Sequence, residues 1–84
     1  MAESLVGSPM YMSPECLMGN PYNTKADIYS LGVLLFEMIL GFYPYEGSNI
    51  PDLIKEIGET PLNFVKKNGE RVSHMTEEFL RKML

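Results

Sequence analysis

Residues 25–40 constrain this 84-residue chain more than any other stretch. Ile28, Leu31, Val33, Leu34, Leu35, Phe36, Met38, Ile39 and Leu40 fall on nearly every side of a helix. A helix that is apolar all round is normally buried inside a larger structure. Few apolar segments remain elsewhere in the chain to cover this one, so the sequence implies partner structure that it does not itself contain. Thr24 stands at the N-cap position, and Asp27 lies three residues on, at capping-box spacing. Gly41 suits the position just past the helix end, and Pro44 prevents its continuation. Glu37 interrupts the run Leu31 to Leu40, which is also shorter than the about 20 residues a membrane span needs.

The remaining elements are shorter. Gly7, Pro9 and the polar residues around them make residues 1–12 a loop. Pro14 opens a short helical turn reaching Met18, which Gly19-Asn20-Pro21 ends. Ile50, Leu53, Ile54 and Ile57 follow the i, i+3, i+4, i+7 spacing of an amphipathic helix, with Asn49 as N-cap and Gly58 as terminator. Asn68-Gly69 marks a turn, and residues 59–73 read as irregular loop, with a weak hairpin as the alternative. A last helix starts at Thr76, with Glu77 and Glu78 at its positive end and Met75 packing on Leu80 as a hydrophobic staple. Phe79, Leu80, Met83 and Leu84 form its apolar face. The sequence stops there without a cap signal, which reads as truncation. The expected fold class is mainly α.

Composition narrows the chemistry. Cys16 is the only cysteine and His74 the only histidine, so neither disulfides nor a metal cluster of the usual ligands can staple so small a chain. A lone thiol fits a reducing compartment. The net charge of −4 argues against a nucleic-acid surface, and Lys66-Lys67 reads as a solvated loop rather than a phosphate site. Met1-Ala2-Glu3-Ser4 lacks the basic and apolar regions of a signal peptide. The expectation is a soluble, cytoplasmic protein with no nucleic-acid or membrane partner.

Three motifs in register point further. Gly7-Ser-Pro-Met-Tyr-Met-Ser-Pro-Glu15 resembles the end of a protein-kinase activation segment, Gly-Thr/Ser-Pro-x-Tyr-x-Ala/Ser-Pro-Glu, with Ser13 in the place of Ala. Asp27-Ile-Tyr-Ser-Leu-Gly32 is similar to the family's Asp-x-Trp-Ser-x-Gly at the start of its central helix, with Tyr29 in the place of Trp. Gly41-Phe-Tyr-Pro-Tyr45 resembles the Gly-x-x-Pro-Phe turn after that helix. The resemblance covers essentially the whole chain and is to the C-terminal lobe of a eukaryotic serine/threonine protein kinase. Ser4-Leu5-Val6 and the Gly-Ser-Pro-Met-Tyr-Met run look most like the autophagy-initiating kinases, with the never-in-mitosis-like kinases close behind. It implies a partial kinase domain over 1–84. Within it, 1–15 ends the activation segment, 24–41 is the central buried helix, 49–58 an amphipathic helix and 76–84 the start of another.

The resemblance also implies roles. Gly7, Ser8, Pro9, Met10, Tyr11 and Met12 would form the platform under the substrate residue that follows the phosphoacceptor. Ser8 would hydrogen-bond the catalytic base and its neighbouring lysine; by itself it is a turn residue beside Pro9. The motif differs from that usual in tyrosine kinases, which implies Ser/Thr substrates. Glu15 would pair with an arginine beyond Leu84, since Arg71 and Arg81 are not at the matching position. Asp27 would anchor the catalytic-loop backbone. Leu34 and Met38 would support the hydrophobic stack beneath adenine, and are otherwise simply core. Ser4 lies where many relatives carry an activating phosphate, against the reading of an exposed loop serine. The helix over 50–57 matches one that docks substrates and regulators, although packing of Leu53 and Ile54 explains it without docking.

Phosphoryl transfer further needs a Gly-rich loop, a strand lysine, a base aspartate and a metal-binding aspartate. The two aspartates, Asp27 and Asp52, sit in neither a D-F-G nor an H-R-D context, and no G-x-G-x-x-G occurs. The chain alone is therefore expected to hold no catalytic residue, to bind no Mg·ATP and to transfer no phosphate; ATP and Mg belong to the complete domain. The competing function is a non-catalytic kinase-lobe remnant that binds a protein partner.

Overall fold

In a computed structural model that describes residues 9–84, the chain is mainly helical. A 3₁₀ turn over Pro9–Tyr11 precedes α1 (Pro14–Leu17), α2 (Thr24–Leu40), α3 (Ile50–Glu59) and α4 (His74–Met83). Among the described residues no strand forms, and no helix is long and apolar enough to cross a membrane.

The caps set these boundaries and differ in part from the sequence reading. The N-cap of α2 is Asn23, whose Oδ1 accepts from the Ala26 N–H at 3.0 Å, so Thr24 is the first helical residue and the Thr24–Asp27 capping box does not form. Asparagine outranks threonine as an N-cap, and residue 23 has the extended backbone that a cap requires. Gly41 closes α2 in the left-handed region at φ 90°, donating its N–H to Glu37 O at 2.8 Å. Asn49 caps α3 as expected, but Gly58 lies inside that helix, which runs on to a Thr60 C-cap. In α4 the cap is Ser73, accepting from Thr76 N–H at 3.2 Å, and Met75 is 80% exposed, so the staple onto Leu80 is not made. Ser73 starts the helix early enough to turn Met75 outward.

Among the described residues only one side of α2 is covered. Ala26, Tyr29, Ser30, Val33, Phe36 and Leu40 form its buried stripe, while Ile28, Leu31, Met38 and Ile39 are exposed. Phe36 centres the core with Leu40, Phe64, Val72 and Leu80. The rings of Phe42 and Phe64 meet Phe36 edge-on at 5.8 and 5.6 Å. Phe64 and Val72 enter this core from a tight hairpin rather than from irregular loop. A single antiparallel bridge joins Val65 to Arg71, and Lys66 N–H donates to Glu70 O at 2.8 Å around Asn68-Gly69. The reason is that both flanks of the turn must reach the same apolar cluster.

α4 crosses α2 at Gly32, where an added Cβ would lie 2.7 Å from Met83 Cβ. Glu77 then ties α4 to the hairpin, accepting from Arg71 at 2.8 Å and from Arg81 at 3.0 Å. Arg81 lies 4.7 Å over the Phe64 ring. Two predictions follow from this packing, both read in thermal unfolding of the polypeptide that carries this segment. Gly32→Ala destabilises by about 1–3 kcal/mol through overpacking. Gly58→Ala, in a helix with nothing within 4 Å of the new methyl, stabilises by about 0.5–1 kcal/mol. The hydrogen bond from Arg81, aided by Arg71, holds the Glu77 carboxyl below the usual glutamate range. Its contribution is complete above the unfolded-state pKa and is lost as pH falls through the lower folded-state value. The melting-point deficit of Glu77→Gln therefore shrinks on acidification, and a pH-independent deficit contradicts this.

Candidate functional site

The Pro9–Tyr11 turn is closed by Met12 N–H donating to Pro9 O at 3.1 Å, and α2 holds it in place by two polar links. Ser30 Oγ donates to Tyr11 O at 2.5 Å, and the Tyr11 hydroxyl donates to Glu37 Oε1 at 2.6 Å. Ser30 and Glu37 are seven residues apart, two helical turns, so one face of α2 grips both the backbone and the ring of Tyr11. Tyr43 packs edge-on against Tyr11 at 5.8 Å. The hydrogen bond to Glu37 pushes the Tyr11 hydroxyl well above the ordinary tyrosine range, with burial adding to it, so the group remains a donor across the physiological range.

The next turn is fixed by Ser13, which is 1% exposed. Its Oγ accepts from Cys16 N–H at 3.4 Å and so caps α1, with Pro14 at the first helical position. Tyr29 is buried behind this turn, and burial pushes its hydroxyl upward as well.

The residues singled out from the sequence divide into three groups. Ser4, Gly7 and Ser8 lie outside the described residues. Pro9, Met10, Tyr11 and Met12 form one surface above α2. Glu15 lies on α1, and Asp27, Leu34 and Met38 on α2, where Leu34 is four residues from Ser30 and three from Glu37. Glu15 is exposed, makes no ion pair among the described residues, and faces a pocket of 430 Å³ shared with Lys25, Tyr29 and Arg81. Met38 is 72% exposed and Leu34 half-buried, so neither is central core here. Asp27 Oδ1 is buried and has no hydrogen-bond partner among the described residues. The Tyr22 hydroxyl lies within hydrogen-bonding reach of the same carboxylate, and that interaction raises the Tyr22 pKa, so it is the Oδ1 atom that is left open.

Sequence reasoning passed over Ser13, Ser30 and Glu37. For Glu37 a signal existed: a single carboxylate inside an apolar helical run requires a donor nearby. Ser13 before Pro14 is a cap-then-proline pair. Ser30 is the serine of the Asp-x-Trp-Ser-x-Gly match, to which the sequence reading gave no role of its own. Among the described residues no three His, Cys, Asp or Glu side chains group to hold a metal ion. The Tyr11–Glu37 link is measurable by a double-mutant cycle in thermal or denaturant unfolding. Tyr11→Phe costs about 1–2 kcal/mol, and its effect largely disappears in a Glu37→Leu background. Additive effects contradict the link.

Comparison with known proteins agrees with this architecture. The protein kinase domain model matches residues 1–84. A serine/threonine-protein kinase atg1 from Aspergillus niger is 42% identical over 86 aligned positions, covering 100% of this chain and 8% of the relative. The ATG1 kinase of Debaryomyces hansenii is 37% identical over 84 positions, covering 100% of this chain and 10% of the relative. That of Pyricularia oryzae is 49% identical over 57 positions, or 68% of this chain and 6% of the relative. The chain thus spans a tenth or less of the length of these curated relatives. With a helical fold, a turn gripped by its longest helix and a family match from end to end, the chain belongs to the protein kinase domain family and corresponds to part of the C-terminal lobe of a serine/threonine kinase.

Proposed function

We propose that this chain supplies the substrate platform and central helix of a kinase that transfers the γ-phosphate of ATP to serine or threonine hydroxyls of proteins. The observation that carries this reading is the buried Asp27 Oδ1, which has no hydrogen-bond partner among the described residues, on the helix that also grips Tyr11. A buried acceptor without a donor costs about 1–3 kcal/mol. That cost is removed if backbone N–H groups from outside these residues complete it, and the catalytic loop is the element the family resemblance puts there. Pro9 to Met12 then lie beneath the substrate, Ser8 reaches the catalytic base, and Glu15 meets an arginine of the same lobe. Leu34 and Met38, on the uncovered side of α2, support the apolar stack under adenine. Ser4 is the activating phosphosite, its charge ordering the segment against basic side chains.

ATP and magnesium act in the complete domain, and the other catalytic groups come from it as well. The partners proposed are proteins in the cytoplasm, handled by a kinase of the autophagy-initiating type that the sequence resembles. The net charge of −4 disfavours a nucleic-acid partner.

The test is phosphate incorporation by the natural polypeptide that carries this segment. Asp27→Ala lowers kcat/KM for Ser/Thr peptides by roughly tenfold or more, because the loop bearing the base loses its anchor. Asp27→Asn, which keeps one acceptor oxygen, retains more activity than Asp27→Ala. An Asp27→Ala enzyme as active as the parent, or a parent that labels no serine or threonine, overturns the reading.

A further inference from the structure

Glu37 serves two contacts near the end of α2. Its side chain accepts from the Tyr11 hydroxyl at 2.6 Å, and its backbone O accepts from the Gly41 N–H at 2.8 Å. Gly41, at φ 90°, ends the helix and turns the chain back. Phe42 then meets Phe36 edge-on at 5.8 Å, which anchors this segment in the core. Tyr43, the next residue, meets the Tyr11 ring at 5.8 Å with the two planes at 80°. The path from Tyr11 through Glu37, Gly41 and Phe42 to Tyr43 therefore closes on Tyr11. Pro44 follows at once, and its fixed φ stiffens the backbone behind Tyr43.

The two polar links leave one motion of Tyr11 open. Ser30 holds its carbonyl O and Glu37 its hydroxyl. Neither contact resists rotation of the ring about its own long axis, whereas an edge-on aromatic neighbour does. The Tyr43 side chain also adds to the upward push on the Tyr11 hydroxyl, so its polar end lies close as well. Tyr43 occupies one of the unspecified positions of the Gly-x-x-Pro-Phe turn, so its ring belongs to this chain rather than to the motif.

We propose that Tyr43 is a positioning residue for the substrate platform, bracing the Tyr11 ring and so setting the Pro9–Met12 turn before substrate arrives. The inference rests on the kinase reading above, in which that turn lies beneath the substrate. A surface ordered in advance loses less freedom on binding, so the brace acts on substrate affinity rather than on phosphoryl transfer.

The experiment uses the natural full-length enzyme and the best-phosphorylated serine peptide of a library degenerate around the acceptor. Tyr43→Ala raises KM roughly threefold to tenfold, the range open to one aromatic pair, with kcat changed by less than about twofold. Tyr43→Phe, which keeps the ring edge, recovers most of the parent KM. If Tyr43→Ala fails to fold, Tyr43→Leu, which keeps apolar bulk without the ring, is read in the same way. A merely structural role lowers the active fraction, so it reduces apparent kcat and leaves KM alone. An unchanged KM, a loss confined to kcat, or a Tyr43→Phe enzyme no better than the aliphatic variant overturns the bracing role while leaving the kinase reading intact. A parent enzyme that phosphorylates no member of the library overturns the kinase reading, and the bracing role with it.

Discussion

Phe36 is the contact through which the parts of this lobe meet. It is fully buried, it touches the rings of Phe42 and Phe64, and it shares a cluster with Leu40, Val72 and Leu80. A buried side chain of this size contributes about 1.5–3 kcal/mol by area alone. Its position on α2 determines which side of that helix faces inward, and hence that Ser30 and Glu37 face the Pro9–Tyr11 turn. Rotating α2 to cover Ile28 and Met38 instead would remove both polar links to Tyr11. Apolar packing thus fixes the orientation of the hydrogen bonds that hold the platform.

α2 carries two carboxylates among many apolar side chains, and their different situations separate local from external support. Glu37 is satisfied within the chain by Tyr11. Asp27 keeps a buried oxygen with no donor among the described residues. The exposed Ile28, Leu31, Met38 and Ile39 lie on the same helix. On the proposed reading, the remainder of a kinase domain packing on α2 accounts for both the open carboxylate oxygen and the uncovered apolar side.

Much of this was legible in the sequence for physical reasons. The helix over α2 follows from a long apolar run closed by Gly41, and α3 from regular spacing behind Asn49. What was misread depended on competition between neighbours. Asn23 displaced Thr24 as a cap, and Ser73 displaced the start at Thr76, because neighbouring capping residues compete for one helix start and the backbone around them decides between them. The hairpin at Asn68-Gly69 stood only as the alternative to irregular loop, because its flanks, Phe64 and Val72, are fixed by the core rather than by alternation. Of the candidate site, the platform motif was readable as a motif. Its attachment was not, since Ser30 and Glu37 matter only once α2 has chosen its inward side.

The central claim is that α2 is half covered by this chain and needs the rest of a kinase lobe. The most direct measurement is calorimetric unfolding of the isolated 84-residue chain, with its mass in solution determined by sedimentation. A broad transition without a sharp heat-capacity peak, together with association or dye binding at the exposed α2 side, is predicted. A cooperative, two-state melt of a monomer that binds no hydrophobic dye would show that α2 is sufficiently covered by its own chain, and would contradict the account.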